Sequence, residues 1–142
     1  MQIRIAIAND IDGILRLETQ IYRVDKLADN ASEITKEIIE SDDKIIIVAE
    51  DAAEIVGSAK MFFFPIPAHG KPFAFLEGVV VDKGRRGQGI GTKLSEEAIN
   101  QARSRNCYKI IFTSGMDRSE VHEFYEKLGF KKWGYEFRMD FS

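Results

Sequence analysis

Alternating apolar and polar residues predict short β-strands along the whole chain. The side chains of a strand alternate between its two faces, so the pattern repeats every two positions. Strands also favour β-branched residues, and the run Ile45-Ile46-Ile47-Val48 has this composition. The segments with strand patterns are residues 3–8, 44–50, 55–64, 73–81, 108–113 and 135–141.

Four segments have apolar residues spaced three or four apart, which is typical of amphipathic helices. In the longest, Ile90, Leu94, Ala98 and Ala102 recur every four residues. Asn9 is a suitable N-cap for a first helix. The predicted helices begin at residue 10 and span residues 32–41, 89–105 and 119–128.

The order β-α-α-β-β-β-α-β-α-β predicts one mixed α/β domain over residues 1–142. Strands joined by tight turns pair antiparallel, and the crossover from strand 73–81 through the long helix to strand 108–113 predicts a parallel pair. All three prolines fall within residues 65–72, which are predicted to form a loop inside the domain.

The composition argues against several classes of protein, namely nucleic-acid-binding, disulfide-bonded and membrane-spanning proteins. The chain is 44% hydrophobic and 30% charged, with a formal net charge of -3, so no basic excess points to nucleic acid. Its single cysteine, Cys107, excludes an internal disulfide and a cysteine-based metal site. No apolar run has the length of a signal peptide core or a membrane span. We therefore expect a cytoplasmic protein without metal, membrane or nucleic-acid binding.

A glycine-rich segment after strand 73–81 carries the clearest chemical signal. Residues 79–92 read VVVDKGRRGQGIGT, a strand that runs through glycines into a helix. This geometry exposes backbone N–H groups at a helix N-terminus, where the dipole favours anions. Arg85, Arg86 and Lys93 add positive charge nearby, so the segment predicts a diphosphate site.

Other readings of the glycines fit less well. A dinucleotide fingerprint needs a third glycine three residues after the second, whereas Thr92 follows Gly91. A Walker A loop ends in Gly-Lys-Ser/Thr, which is absent here. A tight strand-to-helix turn alone needs one glycine, and this segment has four in eight residues.

Three segments resemble the GNAT superfamily of N-acetyltransferases. Arg86-Gly87-Gln88-Gly89-Ile90-Gly91 matches its acetyl-CoA motif, and residues 124–130, FYEKLGF, look like its late helix with a Gly-aromatic end. Arg4-Ile5-Ala6, followed by Asp10, Ile14 and Leu17, is similar to its opening. The resemblance implies a central mixed, mostly antiparallel sheet with one splayed parallel strand pair and helices on both faces.

The resemblance also implies how acetyl-CoA is held. The backbone of Val79, Val80 and Val81 would bind the pantetheine arm where the parallel strands splay. Many relatives have Asn ahead of the late helix where this chain has Arg118, so Arg118 is the candidate for that CoA contact. The residues expected to hold the pyrophosphate are Arg86, Gly87, Gln88, Gly89, Ile90, Gly91 and Thr92.

Two residues are candidates for catalysis. Tyr125 matches the family position proposed as general acid toward the CoA thiolate, although it also lies on the apolar stripe of its helix. Glu77 interrupts an apolar strand, and a carboxylate there needs a cleft or a partner. We therefore consider it as the base or as an anchor for the amine, against the alternatives of a solvent-facing or ion-paired side chain. His122 or a chain of waters is an alternative base.

The function predicted is transfer of acetyl from acetyl-CoA to a primary amine of a small molecule, directly in a ternary complex. Protein or peptide acceptors remain an alternative, as does a non-catalytic acyl-CoA-binding sensor. Residues 21–32 and 65–72 would shape the acceptor pocket, with Tyr22, Asp25 and His69 as candidates. Homodimers are common in the family, so a homodimer is open as an assembly.

Overall fold

The computed structural model of the chain describes residues 1–21 and 25–141. They divide into a first unit, Met1–Ile111, and a second unit that begins at Phe112. Among the described residues, no helix has both the length and the apolar character needed to cross a bilayer.

The first unit is built on a five-stranded sheet in the order β1-β2-β3-β4-β5. Neighbouring strands are antiparallel except for the last pair, which is parallel and joins Ala74 to Ile110 and Phe75 to Ile111. The predicted mixed, mostly antiparallel sheet is thus confirmed. The strands are β1 Gln2–Ile5, β2 Lys44–Asp51, β3 Glu54–Ile66, β4 Lys71–Val81 and β5 Ile110–Ile111.

Three helices cover this sheet: α1 Ile11–Glu18, α2 Ala31–Ile39 and α3 Ile90–Ser104. Side chains alternate between the two faces of a strand. On one face, a buried cluster joins α1 and α2 to the sheet; it includes Ile14, Leu17, Ile38, Ile46 and Val48.

The opposite face of the sheet packs against α3. Gly57 of β3 lies beneath this helix, because a Cβ there would meet Leu94 Cδ1 at 2.9 Å and Ile90 Cγ2 at 3.0 Å. Leu94 and Ala98 are fully buried. The four-residue spacing read from the sequence therefore marks the buried side of α3, and helices lie on both faces.

A turn of 3-10 helix, Ala8–Asp10, precedes α1, and the prediction that Asn9 caps this helix is wrong. The N-cap residue of α1 is Asp10, and its carboxylate accepts from the backbone N–H of Ile7 at 2.8 Å across the preceding 3-10 turn. Arg4 also donates to it twice, at 2.7 and 2.9 Å. The guanidinium of Arg4 holds the pKa of Asp10 below its ordinary value of 3.8.

The proline-rich segment is a hairpin end and not the long loop predicted over residues 65–72. β3 and β4 remain paired up to Ile66 and Lys71, with Pro65 opposite Pro72. A 3-10 turn, Pro67–His69, joins them and ends at left-handed Gly70. Proline is tolerated at such a strand end because few ladder bonds remain there.

The second unit contains α4, Ser119–Lys127, as the spacing predicted. Phe112, Tyr125 and Phe130 pack together within it, with Phe112 and Tyr125 ring centroids 4.1 Å apart. The strand predicted over residues 135–141 is absent, and residues 131–141 are irregular and exposed. Alternation supplies an apolar face, but a strand also needs a neighbour for its backbone.

Candidate functional site

The site begins at a β-bulge near the middle of the long hairpin. Lys60 pairs with Glu77 and Ser58 with Val80, so Gly78 and Val79 on β4 face a single residue of β3. Gly78 has a φ of +70°, a conformation that a glycine adopts without steric cost. Bulges of this type bend a strand and redirect its side chains.

The bulge lies where β4 parts from its parallel neighbour. Pairing with β5 ends at Phe75, whereas β4 continues to Val81. Among the described residues, the last part of β4 therefore has a strand neighbour only on the β3 side. Val80 is buried, so its side chain belongs to the core and its backbone is what remains for a ligand. The parallel pairing thus ends before Val79–Val81, the segment predicted to bind the pantetheine arm.

The segment after β4 turns back with an open outer surface. A turn of 3-10 helix, Lys83–Arg85, is followed by Arg86 in extended conformation. Gly87 and Gly89 both have a φ of +79°, and a Cβ on either would meet no atom within 4 Å. Glycine is therefore favoured here by the backbone conformation, and a bound group could approach the peptide closely.

Helix α3 starts directly at this open surface. Its N-cap is Gly89, for which no side-chain cap is found in the described part of the chain. The first hydrogen bond of the helix runs from the N–H of Lys93 to the carbonyl of Gly89, at 3.1 Å. The N–H groups of Ile90, Gly91 and Thr92 consequently lack partners within the helix. Together with the dipole, they make a site suited to a phosphate.

The basic residues near this loop have different roles. Arg85 is paired with Asp51 and donates to Gln88 Oε1 at 3.2 Å, so it fastens the loop to the end of β2. Arg86 is exposed and donates to the carbonyl of Val81 at 3.2 Å. Lys93 is also exposed. Of the three predicted cations, Arg86 and Lys93 are thus the exposed ones.

Helix α1 and the turn after it hold the loop through two residues that the sequence analysis did not identify. Arg16 donates to Asp82 at 3.0 Å, and Gln20 accepts from the N–H of Lys83 at 2.9 Å. The hydrogen bond from Arg16, followed by that from Gln20, lowers the pKa of Asp82. Arg16 lies in α1 and Gln20 two residues after its end. Both residues were visible in the sequence, but their partners more than 60 residues later were not.

Glu77 lies in an ion cluster on the face that carries α1. Its carboxylate is 3.8 Å from Lys60 Nζ, and Lys60 is paired more closely with Glu18. The side chain of Lys60 is only 12% exposed, whereas that of Glu77 is 49% exposed. Glu77 thus has both a cationic partner and access to solvent. Gly78 makes room for this lysine, since a Cβ there would lie 2.8 Å from Nζ.

Comparison with known proteins assigns the family. The sequence profile described as Acetyltransferase (GNAT) family matches residues 11–130, which is most of the chain. The chain belongs to the GNAT acetyltransferase family. The resemblance read from the glycine loop and late helix is confirmed, and this family uses acetyl-CoA as cosubstrate.

Named relatives of this GNAT chain include sugar-phosphate acetyltransferases. It is 38% identical to "Glucosamine 6-phosphate N-acetyltransferase" of Trypanosoma brucei brucei over 93 residues, which are 64% of this chain and 60% of that protein. It is 35% identical to "Glucosamine 6-phosphate N-acetyltransferase 1" of Oryza sativa subsp. japonica over 92 residues, 62% of this chain and 53% of that protein. The match therefore spans less than two thirds of either relative.

A solved structure extends the likeness over the full GNAT fold. The chain superposes on glucosamine-6-phosphate N-acetyltransferase from Arabidopsis thaliana with a TM-score of 0.85 at 25% identity, covering 99% of this chain and 98% of that one. The predicted fold class is thereby confirmed. The individual site residues stay predictions, for which the geometry above gives the placement.

The remaining predicted residues have varied surroundings. In the second unit, His122 Nε2 lies 2.9 Å from the carbonyl of Gly115, and Arg118 is the N-cap of α4. In the first unit, His69 stacks on Tyr108 with ring centroids 4.0 Å apart. Asp25 is exposed, and Tyr22 lies outside the described residues.

Cys107 has the properties of a structural thiol. Burial raises its pKa, against a smaller lowering by Arg105. A nucleophilic cysteine needs a lowered pKa. Cys107 is therefore a poor candidate for an acyl-enzyme intermediate.

Proposed function

We propose that this chain transfers the acetyl group of acetyl-CoA to the primary amine of a small molecule, by direct transfer in a ternary complex. The observation that carries the proposal is the open glycine loop between β4 and α3. It combines two left-handed glycines, unpaired N–H groups and a strand end freed from its neighbour. A diphosphate with an extended arm matches this combination of a phosphate cradle and a free strand edge.

Binding of the donor divides between these two parts. The pyrophosphate lies against the first turn of α3, where each hydrogen bond to a charged group contributes about 1.5–3 kcal/mol. Arg86 and Lys93 add charge from exposed positions. The pantetheine arm runs along Val79–Val81 and hydrogen-bonds to backbone groups that β5 leaves unpaired. This arrangement carries the thioester from the loop back toward the bulge at Gly78.

The reaction needs a neutral amine and a protonated leaving group. An amine with a pKa of about 10.4 is neutral roughly once in 2,500 at pH 7, a deficit of about 4.6 kcal/mol. Glu77 takes up the amine proton, directly or through water, from its half-exposed position beside Lys60. The amine nitrogen attacks the acetyl carbonyl carbon, the C–S bond breaks, and Tyr125 protonates the departing thiolate.

Phosphorylated amino sugars are the first acceptors to test. The relatives named glucosamine 6-phosphate N-acetyltransferase act on an amine of this class, and they match at 38% and 35% identity. The match to "N-alpha-acetyltransferase 30" of Schizosaccharomyces pombe is shorter, at 30% over 59 residues and 42% of this chain. A small acceptor is thus favoured over a protein N-terminus.

The deciding experiment measures acetyl-CoA-dependent release of free CoA thiol. The acceptor panel comprises glucosamine 6-phosphate, glucosamine, polyamines, aminoglycosides and peptides with a free N-terminus. Release stimulated by an amino sugar or another small amine supports the proposal and identifies the acceptor class. Stimulation by peptides alone would establish the protein-acceptor alternative instead.

Tyr125→Phe separates an enzyme from a binding module. We expect the variant to keep its affinity for acetyl-CoA while its turnover falls about 10²-fold or more, the range of general acid catalysis. Binding is measured by calorimetry and turnover by thiol release. Tight acetyl-CoA binding with no stimulated turnover in the unmodified chain would support the sensor alternative, and unchanged turnover in Tyr125→Phe would remove Tyr125 from the mechanism.

A further inference from the structure

A nearly buried lysine lies between two carboxylates at the bulge of β4. Lys60 extends from β3, and its ammonium is ion-paired with Glu18 at the end of α1 and lies 3.8 Å from Glu77 Oε2. The exposed fraction is 12% for the Lys60 side chain, 20% for Glu18 and 49% for Glu77. The cluster therefore consists of an inner ion pair and an outer carboxylate that solvent can reach.

The two contacts of Lys60 are unequal. The ammonium donates a hydrogen bond to Glu18, whereas its distance of 3.8 Å from Glu77 is too long for a hydrogen bond. A lysine side chain is flexible and carries three donors, so the same ammonium could bond to either carboxylate. Because Glu18 takes the close contact, Glu77 has no short contact with this lysine.

The burial of Lys60 makes the choice of partner important. A charge taken out of water needs an ionic partner, because an unpaired buried charge is costly. If Glu18 were neutral, Glu77 would be the partner left to Lys60 among the ion pairs of the described residues. A movement of the ammonium by about 1 Å would then turn the long contact into a charge-assisted hydrogen bond.

The bulge leaves space for such a movement. Gly78 follows Glu77 directly, with a φ of +70°, and a Cβ on it would lie 2.8 Å from Lys60 Nζ and 3.8 Å from Ile21 Cδ1. Any larger residue would occupy the position next to the ammonium. The glycine thus keeps the tip of Lys60 and the carboxylate of Glu77 accessible to each other.

We infer that Glu18 and Lys60 are positioning residues for the proton acceptor: Glu18 holds the ammonium of Lys60 back, so that Glu77 lies beside a cation but stays free to take the amine proton. This inference rests on the proposed role of Glu77 as the base. A carboxylate that accepts a short hydrogen bond from a cation is stabilised in its charged form and accepts a proton less readily. Glu18 therefore affects the reaction by controlling its neighbour.

Turnover of single and double variants tests this inference, because losses from independent structural contacts add. Glu18→Gln should lower kcat about 10-fold, the low end for a hydrogen bond to a charged group, and leave acetyl-CoA affinity unchanged. Adding Lys60→Met should raise kcat again, to the level of Lys60→Met alone, because the competing ammonium is gone. An unchanged kcat in Glu18→Gln, or a double variant that is no faster than Glu18→Gln, would overturn the inference.

A second ion pair between a helix and the sheet supplies the matched control. Lys44 of β2 lies 3.5 Å from Glu37 of α2, and β3 separates β2 from β4. Glu37→Gln and Lys44→Met are the same chemical changes and should leave kcat unchanged. Glu18→Asp keeps the charge and should retain most of the turnover, which shows that the carboxylate is what matters. Thermal unfolding checks that each variant is folded.

Glu77→Gln separates this inference from the proposed function. It should lower kcat at least about 10²-fold, the smallest contribution expected of a general base. An unchanged kcat in this variant would refute Glu77 as the base, and the inference with it. A slow Glu77→Gln variant, together with a Glu18→Gln, Lys60→Met chain that does not recover, would refute the inference alone.

The position of the ammonium can also be measured without turnover. A crystal structure of Glu18→Gln should place Lys60 Nζ about 2.7–2.9 Å from a carboxylate oxygen of Glu77, compared with 3.8 Å in the unmodified chain. This measurement needs no acceptor, so it tests the inference even if no amine of the panel stimulates thiol release. An ammonium that keeps its original distance from Glu77 would overturn the inference.

Discussion

Gly89→Asp is the sharpest test of the glycine loop. Gly89 is the N-cap of α3, with φ +79° and ψ +10°, and a side chain there would extend into open space. Because no protein atom is displaced, the substitution leaves the core packing intact. Its main effect is to place a carboxylate beside the N–H groups proposed to hold the pyrophosphate.

The expected loss of affinity follows from the repulsion of two like charges and from lost hydrogen bonds. Two like charges about 4 Å apart repel by about 4 kcal/mol at an effective dielectric constant of 20. Each hydrogen bond to a phosphate that is lost costs about 1.5–3 kcal/mol. Even with partial relaxation of the new side chain, a loss of about 3 kcal/mol corresponds to roughly 100-fold weaker acetyl-CoA binding.

The chain offers a control for the backbone strain of this change. Gly70 is also left-handed, with φ +61°, and a Cβ there meets nothing within 4 Å. It lies at the far end of β4, an 11-residue strand, about 30 Å from the loop. Gly70→Asp carries the same strain of about 1–2 kcal/mol and should leave acetyl-CoA affinity unchanged. Gly89→Asn adds a neutral side chain of similar size and should have an intermediate effect.

Calorimetric titration with acetyl-CoA measures all three variants, and thermal unfolding checks that each is folded. The reasoning predicts the affinity order Gly70→Asp, Gly89→Asn, Gly89→Asp, from strongest to weakest. Unchanged affinity in a folded Gly89→Asp chain would refute the assignment of the pyrophosphate to this loop.

Three further predictions follow from contacts around the site. Arg16→Ala removes the brace on Asp82 and should weaken acetyl-CoA binding about 10-fold without unfolding the chain, as titration of the folded variant will show. Asp10→Asn should lower the free energy of unfolding by about 2–3 kcal/mol at pH 7. Since the folded-state pKa of Asp10 is lowered below 3.8, this difference from the unmodified chain should be full above about pH 4 and should shrink as the pH falls further toward the folded-state pKa, as urea titrations will show. Gly57→Ala places a methyl group 2.9 Å from Leu94 Cδ1 and should cost about 1–3 kcal/mol in chemical denaturation.

Elements defined by local sequence were predictable. The apolar spacing of α3 and α4, the β-branched run of β2 and the strand-glycine-helix order each depend on residues within one element or its neighbour. The parallel β4–β5 pair was also predictable, because a strand-helix-strand crossover of this length permits little else. The glycine loop belongs to this group, since its anion-binding potential comes from backbone geometry at a helix start.

Features that depend on register were not predictable. To predict the bulge at Gly78, one would have to know that the β3–β4 register shifts by one residue. No pattern within either strand determines this shift. The brace from Arg16 to Asp82 joins residues 66 positions apart. Residues 135–141 show the converse case: their alternation was read as a strand, yet alternation cannot specify which edge supplies the partner.

The surroundings of Glu77 could be predicted from the sequence only as a set of alternatives. A carboxylate in an apolar strand implied either a cleft or an ionic partner, and these were weighed as alternatives. The structure gives both solvent access and a partner, because the Glu77 side chain is 49% exposed and lies 3.8 Å from Lys60. Glu18 is the closer of the two carboxylates to Lys60, so Glu18 is the main ionic partner of this lysine. Glu77 therefore lies beside a cation that has a closer partner, and this is the placement from which we propose that it takes up the amine proton.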